Sequence, residues 1–539
     1  MLEYSSNNIK TKWTVNFMRE FNVTGTCVPT RHYMVDTTNK LQQIKKLIDK
    51  QKYFTINRGR QYGKTTTLIS LRRFLADEYT VISTSFEGFD AEEFASAGMF
   101  CQKFLGRLYD ALQFTSMPEE EKEQWKNPDV ADFDDLGRHI TKMCRHKKIV
   151  LLIDEVDKSS NNRVFLGFLS KLREKYLARA AEMDFTFHSV ILAGVYDIKN
   201  VKLRFIQEGL HTQAAAETTT NNSPWNIATD FDVDMSFSAI EIESMLLEYE
   251  NDHKTGMDMT TIAREIYDYT GGYPVLVSNI CKKIDEKLNK DWTTKTVRKA
   301  VRMVLRDDTP LFDSLDKNLD SNKELSELVR DVLLNGGKWT FSLRNPAINL
   351  GHRYGYFTNM NDRVKISNKI FELIIIEHFA ARDQLAALKP TIKTSSQEMI
   401  IQDGKFDMQV CLERFAKYYY EHYSDKDVKF IEKECRYFFL FFLNSILNGS
   451  GFAQIESAFT DDRRMDVVIN YFDEQYIVEL KIWNGEVYQD KGYQQLLGYM
   501  DKKNLTEGYM LIFDFNKTKN RRQEWITLDD GRKIYEVQI

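Results

Sequence analysis

Three consecutive residues near the start of the chain, Gly63, Lys64 and Thr65, have the types and order of a phosphate-binding turn. In such a turn, backbone N–H groups surround the phosphates and the following helix directs its positive end at them. The lysine reaches the terminal phosphates, and the Ser or Thr hydroxyl binds Mg²⁺. The full pattern, Gly-x-x-x-x-Gly-Lys-Ser/Thr, requires glycine where this chain has Arg58, and glycine follows one place later. The residues expected to bind a nucleotide here are Gly59, Gly63, Lys64, Thr65 and Thr66.

A second run with matching chemistry is the apolar stretch 149–153, which Asp154 and Glu155 follow. A buried strand that ends in two carboxylates can hold Mg²⁺ through water with the first and polarise an attacking water with the second. We therefore predict that Asp154 and Thr65 bind the metal of the nucleotide and that Glu155 is catalytic. The alternative is a core strand that ends in a solvated acidic turn.

The third group lies near the C-terminus, where Asp466 precedes Glu479 and Lys481. The segment reads as two strands joined by a hairpin around 470–474. Glu479 and Lys481 are two residues apart, so they face one side of a strand, and Asp466 on the neighbouring strand can converge on them. Two carboxylates and a lysine form a divalent-metal site that can act on a phosphodiester. We predict catalytic roles for all three residues and metal binding by both carboxylates.

The elements that must position the first two groups alternate between strands and helices. A strand-like run at 53–57 leads into the glycine turn, and an amphipathic stretch through Leu68, Leu71 and Leu75 follows. Further β-rich runs lie at 79–86, 149–153 and 190–193, with helical stretches between them. This order predicts an α/β fold with a parallel sheet covered on both faces.

The rest of the chain divides by pattern into smaller units. Residues 236–307 read as helical, with an interruption at 271–274. Residues 324–380 read as a helix, two short strands and another helix, with turns at 336–337 and 344–354. Polar residues typical of a linker follow, and after them helical and strand patterns alternate again. The predicted division is 1–235 for the ATPase-type core, 236–310 for a helical lid, 311–382 for a winged-helix-like unit, 383–404 for a linker and 405–539 for a second α/β domain.

Composition excludes several classes of protein. The chain has 539 residues, 42% of them hydrophobic and 28% charged, which is ordinary for globular proteins. The net charge of −5 excludes a protein that coats nucleic acid through overall basicity, although a local basic groove remains open. Six widely spaced cysteines with no Cys-x-x-Cys pair predict neither a zinc site nor a disulfide framework. A polar N-terminus and apolar runs far below the ~20 residues of a membrane span predict a soluble, cytoplasmic protein.

Five segments together resemble the bacterial AAA-ATPase-like family, over roughly residues 10–310. The family pattern has arginine-rich residues in the loop in place of the first glycine, which accounts for the departure at position 58. The resemblance implies binding of ATP and Mg²⁺ and assembly of several copies through an arginine such as Arg204, for which a helix-surface position is the alternative. The segments that carry the resemblance are 58–64, 151–155, 192–197, 223–228 and 270–274.

Residues 405–539 resemble the PD-(D/E)XK nuclease domain that is commonly fused behind AAA-ATPase-like domains in bacteria. The signature is an Asp followed by Glu-x-Lys, here Asp466, Glu479 and Lys481. The superfamily implies a further catalytic Gln on the following helix, Gln494 with Gln495 as the alternative. It also implies a metal-binding acid on the preceding helix, Glu434, which a solvated helix charge explains equally. Alternatives for the whole group are a nuclease fold without activity and a charged sheet edge.

Together these features predict an ATP-hydrolysing protein coupled to a Mg²⁺-dependent endonuclease, with Mn²⁺ able to replace Mg²⁺ in the nuclease site. DNA rather than RNA is the expected partner, no membrane is expected, and family analogy points to bacterial defence or mobile-element control. An alternative is an ATP-dependent switch whose C-terminal domain binds nucleic acid or a partner without cutting. Another is a nuclease in which the nucleotide only holds the oligomer together.

Overall fold

A computed structural model describes most of the chain. The described residues are 18–90, 92–126, 129–156, 163–195, 225–334, 338–387, 399–423, 438–440, 442–444, 446–447, 451–456, 466–483, 486–514 and 522–539. The helices are α1 (Thr38–Asp49), α2 (Lys64–Leu75), α3 (Ala97–Leu112), α4 (Glu119–Glu123), α5 (Phe133–Cys144), α6 (Arg163–Ala180), α7 (Ala239–His253), α8 (Met259–Thr270), α9 (Pro274–Lys287), α10 (Thr294–Leu305), α11 (Pro310–Ser321), α12 (Lys323–Leu334), α13 (Pro346–Arg353), α14 (Lys369–Ala387), α15 (Met408–Tyr423) and α16 (Glu486–Lys503).

Strands form two main sheets and two short hairpins. The strands are β1 (Phe54–Asn57), β2 (Thr80–Ser85), β3 (Ile149–Asp154), β4 (Ser189–Gly194), β5 (Phe357–Met360), β6 (Arg363–Ile366), β7 (Ile401–Gln402), β8 (Lys405–Phe406), β9 (Gly451–Glu456), β10 (Asp466–Tyr471), β11 (Glu474–Ile482), β12 (Glu507–Phe513), β13 (Arg522–Thr527) and β14 (Lys533–Gln538). Within the described part of the chain, no helix combines the length and apolarity that crossing a membrane requires.

The N-terminal sheet has the order β1-β4-β3-β2, and every neighbouring pair is parallel. Alternate residues of β3 point to opposite faces: Leu151 packs with the core under α3, α5 and α6, whereas Val150 and Leu152 pack with the core under α1 and α2. All residues of β3 and β4 are buried, as both faces of a parallel sheet require. The prediction of an α/β fold with a covered parallel sheet is confirmed.

Helices α7–α10 follow this sheet, and the expected interruption of the helical pattern separates α8 from α9. Gly271 ends α8 in a left-handed conformation, and Gly272 follows with a φ of 73°. A Cβ on Gly272 would lie 1.9 Å from the carbonyl oxygen of Phe237, so only glycine fits. Pro274 then starts α9 at a position where its missing N–H costs no hydrogen bond.

Two sequence-based boundaries are corrected by the structure. The segment 344–354, expected to be a turn, contains α13, because Asn345 caps the helix through bonds to the N–H groups of Ala347 and Ile348 and Pro346 starts it. The predicted linker at 383–404 is helical in its first part, since α14 continues to Ala387. Residues 388–398 of that linker lie outside the described residues.

The C-terminal sheet is mixed, with the order β13-β14-β12-β11-β10-β9. Strands β9, β10 and β11 pair antiparallel, β11 pairs parallel with β12 and β12 with β14, and β13 is antiparallel to β14. Helix α16 connects β11 to β12 and packs through Leu496 and Met500 on one face of the sheet. Strands β10 and β11 form the predicted hairpin, with a two-residue turn at Phe472 and Asp473.

Candidate functional site

The predicted phosphate-binding loop connects β1 to α2. Gly63 stands at the helix N-cap with a φ of 78°, in the left-handed region that glycine enters without steric cost. The N–H groups of the first turn of a helix have no partner within the helix. A turn of this shape therefore presents donors and the positive end of α2 to an anion.

Lys64 is buried, and its ammonium group lies over this loop. Its Nζ donates hydrogen bonds to the carbonyl oxygens of Arg58, at 3.0 Å, and Gly59, at 2.9 Å. The lysine thus occupies the concave side of the loop, where a phosphate group would be neutralised by its charge.

Thr65 and Asp154 meet at the edge of the sheet, although 89 positions separate them in sequence. The Thr65 hydroxyl donates to Asp154 Oδ2 at 2.5 Å, and Asp154 Oδ1 accepts the N–H of Glu155 at 2.9 Å. A hydroxyl beside a carboxylate is an oxygen donor pair that suits Mg²⁺. Glu155 follows with a φ of 55°, a conformation uncommon for a residue with a side chain. Its catalytic role stays a prediction.

Arg58, which stands where the first glycine was expected, supports the loop from outside. Its guanidinium donates to the carbonyl oxygens of Asn57 at 2.9 Å and Val233 at 3.0 Å and lies over the ring of Phe231, 5.8 Å from its centre. These contacts tie the loop to the segment that enters the helical lid. Arg58 therefore has a structural role, which the sequence pattern did not indicate.

Residues from distant parts of the chain surround the same loop. Tyr273, at the start of α9, donates its hydroxyl hydrogen bond to the carbonyl oxygen of Arg60 at 2.5 Å, and burial raises the pKa of Tyr273 far above its usual range. A Cβ on Gly59 would lie 2.7 Å from the carbonyl oxygen of Tyr354. The backbone N–H of Cys27 donates to Thr66 Oγ1 at 3.3 Å.

Sequence reasoning missed these surrounding residues. The Gly-Gly-Tyr-Pro segment that contains Tyr273 was recognised as part of a lid, so its proximity to the loop had a signal. The close approach of Tyr354 to Gly59 had no signal in the sequence, because it depends on how α13 and the residues after it pack against the loop.

In the C-terminal sheet, the register of β10 and β11 places Asp466 directly opposite Glu479. Glu479 is 0% exposed, and Lys481 Nζ lies 2.8 Å from its Oε1. Val478 and Leu480 pack on the opposite face, in agreement with the predicted alternation. The hairpin thus brings the backbone of Asp466 beside a buried Glu–Lys pair.

The helix above this pair contributes Gln495 rather than Gln494. Lys481 Nζ donates to Gln495 Oε1 at 2.9 Å, whereas the side chain of Gln494 is exposed. The structure thus places the alternative, Gln495, beside Lys481, because the packing of α16 turns only one of the two adjacent residues toward the sheet. A catalytic role for either glutamine stays a prediction. Gly492 allows this approach, since a Cβ there would already be 3.0 Å from Lys481 Cε.

Other predicted residues are not tested by the described part of the structure. Glu434 and Arg204 lie outside the described residues, as do 196–224 of the AAA-like segments. Among the described residues, no group of three His, Cys, Asp or Glu residues is arranged to hold a metal ion.

A second buried carboxylate, Glu536, lies on the same face of the C-terminal sheet as Glu479. The register pairs Glu479 with Met510 and Met510 with Glu536, so the two carboxylates are separated by one strand. Glu536 accepts a hydrogen bond from the hydroxyl of Tyr493 on α16. Ile534, Glu536 and Gln538 are spaced two residues apart and so share one face of a strand, a pattern that could have indicated Glu536. Sequence reasoning singled out only the Glu-x-Lys strand.

Aromatic residues between α12 and β6 could contact nucleic acid or pack in the core. Tyr354, Tyr356 and Phe357 are buried, which favours packing. Trp339 is half-exposed, and its indole N–H donates to Asp331 Oδ2 at 2.8 Å.

Comparisons with known proteins identify solved structures but no family. No family model matches the chain, and no curated protein matches it. A Walker-type ATPase of Pyrococcus abyssi is 10% identical with a TM-score of 0.45, and the match covers 66% of this chain and 99% of that one. The ORC2 protein of Aeropyrum pernix, in ADPNP–ADP complexes, is 11% identical with a TM-score of 0.33, covering 64% and 94%.

The ORC1 protein of Aeropyrum pernix in complex with DNA is also 11% identical, with a TM-score of 0.25 and coverage of 66% and 95%. At these TM-scores the neighbours assign no function to this chain. Function is therefore inferred from the chain's own residues.

Proposed function

We propose that this chain binds and hydrolyses ATP at the loop between β1 and α2. The observation that carries the proposal is the 2.5 Å contact between Thr65 Oγ1 and Asp154 Oδ2, which joins the glycine loop to the end of β3. A Gly-Lys-Thr sequence that occurred by chance would not be expected to contact the acidic end of a buried strand. Lys64, held over the loop, supplies the positive charge that a triphosphate needs.

Each residue then has a defined task. The loop N–H groups and Lys64 bind the phosphates, and Thr65 and Asp154 would hold Mg²⁺. The metal, when bound, neutralises charge that develops on the transferred phosphoryl group. Glu155 orients the water that attacks the terminal phosphorus, and ADP and inorganic phosphate leave.

We further propose that the C-terminal domain cleaves phosphodiester bonds in DNA. The supporting observation is the buried Glu479–Lys481 pair at 2.8 Å, with Asp466 opposite it in register. Asp466 and Glu479 would hold Mg²⁺ or Mn²⁺, which lowers the pKa of a bound water. Lys481, steadied by Gln495, would orient a water for attack on the phosphorus, and the P–O bond to the leaving sugar oxygen would break.

The division of the chain predicted from its sequence assigns the proposed activities to separate parts. The core (1–235), lid (236–310), winged-helix-like unit (311–382) and C-terminal domain (405–539) act in one cytoplasmic protein, and several copies assemble. Its biological setting would be bacterial defence or mobile-element control, by family analogy.

A binding switch without cleavage is the second candidate. Glu479 already has a cation at 2.8 Å, and a buried ion pair of this kind also occurs as a purely structural feature. In that case ATP would control binding of nucleic acid or a partner by the C-terminal domain.

Incubation of the purified chain with supercoiled plasmid and with single-stranded DNA tests both candidates. Reactions contain Mg²⁺ or Mn²⁺, with and without ATP, and compare wild type with Asp466→Ala and Lys64→Ala. Cutting that Asp466→Ala abolishes supports the nuclease, and its loss in Lys64→Ala supports coupling to ATP. ATP hydrolysis without any cutting would favour the switch, and absence of nucleotide binding would refute the ATPase.

A further inference from the structure

The turn of the β10–β11 hairpin is docked on the helical lid. Lys295 Nζ lies 2.6 Å from Asp473 Oδ2 and Lys299 Nζ lies 3.6 Å from Asp473 Oδ1, both from α10. The hydrogen bond from Lys295 holds the pKa of Asp473 below its usual range. One turn further along α10, the guanidinium of Arg302 lies 5.5 Å from the ring centre of Phe472. Three successive cations of one helix face thus hold both residues of the turn.

The turn has an unusual sequence for its shape. Phe472 has a φ of 44°, a region that two-residue hairpin turns normally fill with Gly, Asn or Asp. A bulky aromatic residue in this region is rare and persists where surrounding contacts hold it. The ring of Phe472 is half-exposed and lies under the guanidinium group of Arg302. The presence of phenylalanine at position 472 therefore indicates that the turn is shaped for its contact with α10.

Apolar contacts extend the same interface. Tyr269, near the end of α8, packs edge-on against Phe452 of β9, with ring centres 6.2 Å apart. Buried residues of the lid and of one face of the C-terminal sheet belong to a single hydrophobic core. The C-terminal sheet is therefore seated on the lid helices at its β9–β11 edge.

The turn that follows α8 contacts the nucleotide loop. The turn between α8 and α9 places Tyr273 on the carbonyl oxygen of Arg60, and a Cβ on Gly63 would lie 3.9 Å from Pro274. Because α9 and α10 share core residues such as Val277 and Val301, movement at Tyr273 is passed to α10 as motion of a packed unit.

We propose that the docked hairpin turn transmits the nucleotide state of the loop to the Glu479–Lys481 pair. This inference rests on the proposed nucleotide binding and names the regulation of the C-terminal site. Asp473 and Glu479 lie on one continuous strand-turn unit, six residues or about 20 Å apart. Strand β11 runs without interruption from the turn to Lys481, so a shift of α10 at the turn acts on this strand and alters the Lys481–Gln495 hydrogen bond to α16.

Hydrogen exchange of the full-length chain, measured with and without Mg²⁺ and the non-hydrolysable analogue ADPNP, tests the proposal without relying on cleavage. In wild type, the analogue should change exchange in peptides covering 466–483 by at least about fivefold, the lower range of allosteric coupling. In Asp473→Lys the change should disappear, because like charges then face each other. Combining it with Lys295→Asp and Lys299→Asp restores opposite charges and should restore the change.

Glu286→Lys is the matched control, since it reverses one charge of a lid ion pair, Lys282–Glu286, that does not involve the hairpin. It should behave as wild type. Binding of a fluorescent ATP analogue is measured for every variant. Normal nucleotide binding with no exchange response in the wild-type hairpin would overturn the coupling alone, whereas no nucleotide binding in wild type would overturn both proposals. A response that survives in Asp473→Lys would also overturn the coupling through this turn.

Discussion

The two candidate sites differ in how they are assembled. The nucleotide loop is surrounded by residues from the N-terminal segment, the sheet, the start of α9 and the end of α13. These residues include Cys27, Asp154, Tyr273 and Tyr354. The C-terminal site is built from one hairpin and the helix above it, with its charges already paired as Glu479–Lys481.

The difference concerns where each charge is compensated. At the loop, Lys64 donates to the carbonyl oxygens of Arg58 and Gly59, and a ligand phosphate would give this cation a full negative charge as a partner. The Glu479 charge is compensated within the protein. Changes at the first site should therefore affect binding, and changes at the second should first affect stability.

The largest expected effect is at the buried pair. Lys481→Met removes the cation beside a carboxylate that is 0% exposed, and an uncompensated buried charge costs roughly 3–5 kcal/mol of unfolding free energy. Urea unfolding of the full-length chain, compared with wild type, measures this loss of unfolding free energy. The double variant Glu479→Gln/Lys481→Met removes both charges and should be more stable than the single variant. A double variant that is less stable than Lys481→Met would show that the uncompensated charge of Glu479 is not the source of the lost stability.

Lys64→Ala should lower ATP affinity roughly 100-fold, or about 2.7 kcal/mol, since it removes a charge-assisted contact to phosphate. Titration with a fluorescent ATP analogue measures the change. Lys46→Ala, on an exposed part of α1, is the matched control and should bind normally. Unlike Lys481→Met, Lys64→Ala should leave the unfolding transitions nearly unchanged, and a large loss of stability would contradict the contrast between the sites.

Thr65→Val should reduce Mg²⁺-dependent ATP hydrolysis about tenfold, because the hydroxyl that contacts Asp154 is lost while the shape is kept. Thr65→Ser retains the hydroxyl and should stay near wild type. Steady-state rates measured over a range of Mg²⁺ concentrations separate a weaker metal site, which extra Mg²⁺ rescues, from a slower chemical step. Equal rates for the Val and Ser variants would exclude a role for the hydroxyl.

The smallest effect concerns the exposed ion pair at the hairpin turn. The folded-state pKa of Asp473 is lowered by Lys295, so the stabilisation is fully present above the unfolded value of 3.8 and is lost as pH falls through the folded pKa. The protection of 466–483 against hydrogen exchange, expressed relative to the intrinsic exchange rate at each pH, should therefore fall below about pH 4. Asp473→Asn should abolish this pH dependence, and an unchanged profile in that variant would assign it to another group.

Much of the fold near each site was predictable from local patterns. The strand, turn and helix around Gly63, the buried strand that ends at Asp154 and the hairpin that pairs Asp466 with Glu479 all appear as expected. There are two errors of secondary structure. At 344–354, turn-forming residues cap and start a helix, and at 383–387, Asp-Gln-Leu-Ala-Ala extends α14 into the predicted linker.

The sequence by itself determined the residues that carry charge and the face of each strand on which they lie, because alternation along a strand has a period of two. Only the tertiary structure decided which distant residues join them. Gln495 rather than Gln494 contacts Lys481, Tyr493 meets Glu536, and Tyr273 reaches the nucleotide loop. These contacts depend on how helices rotate and pack against sheets, and close packing between elements, rather than any local pattern, sets that rotation.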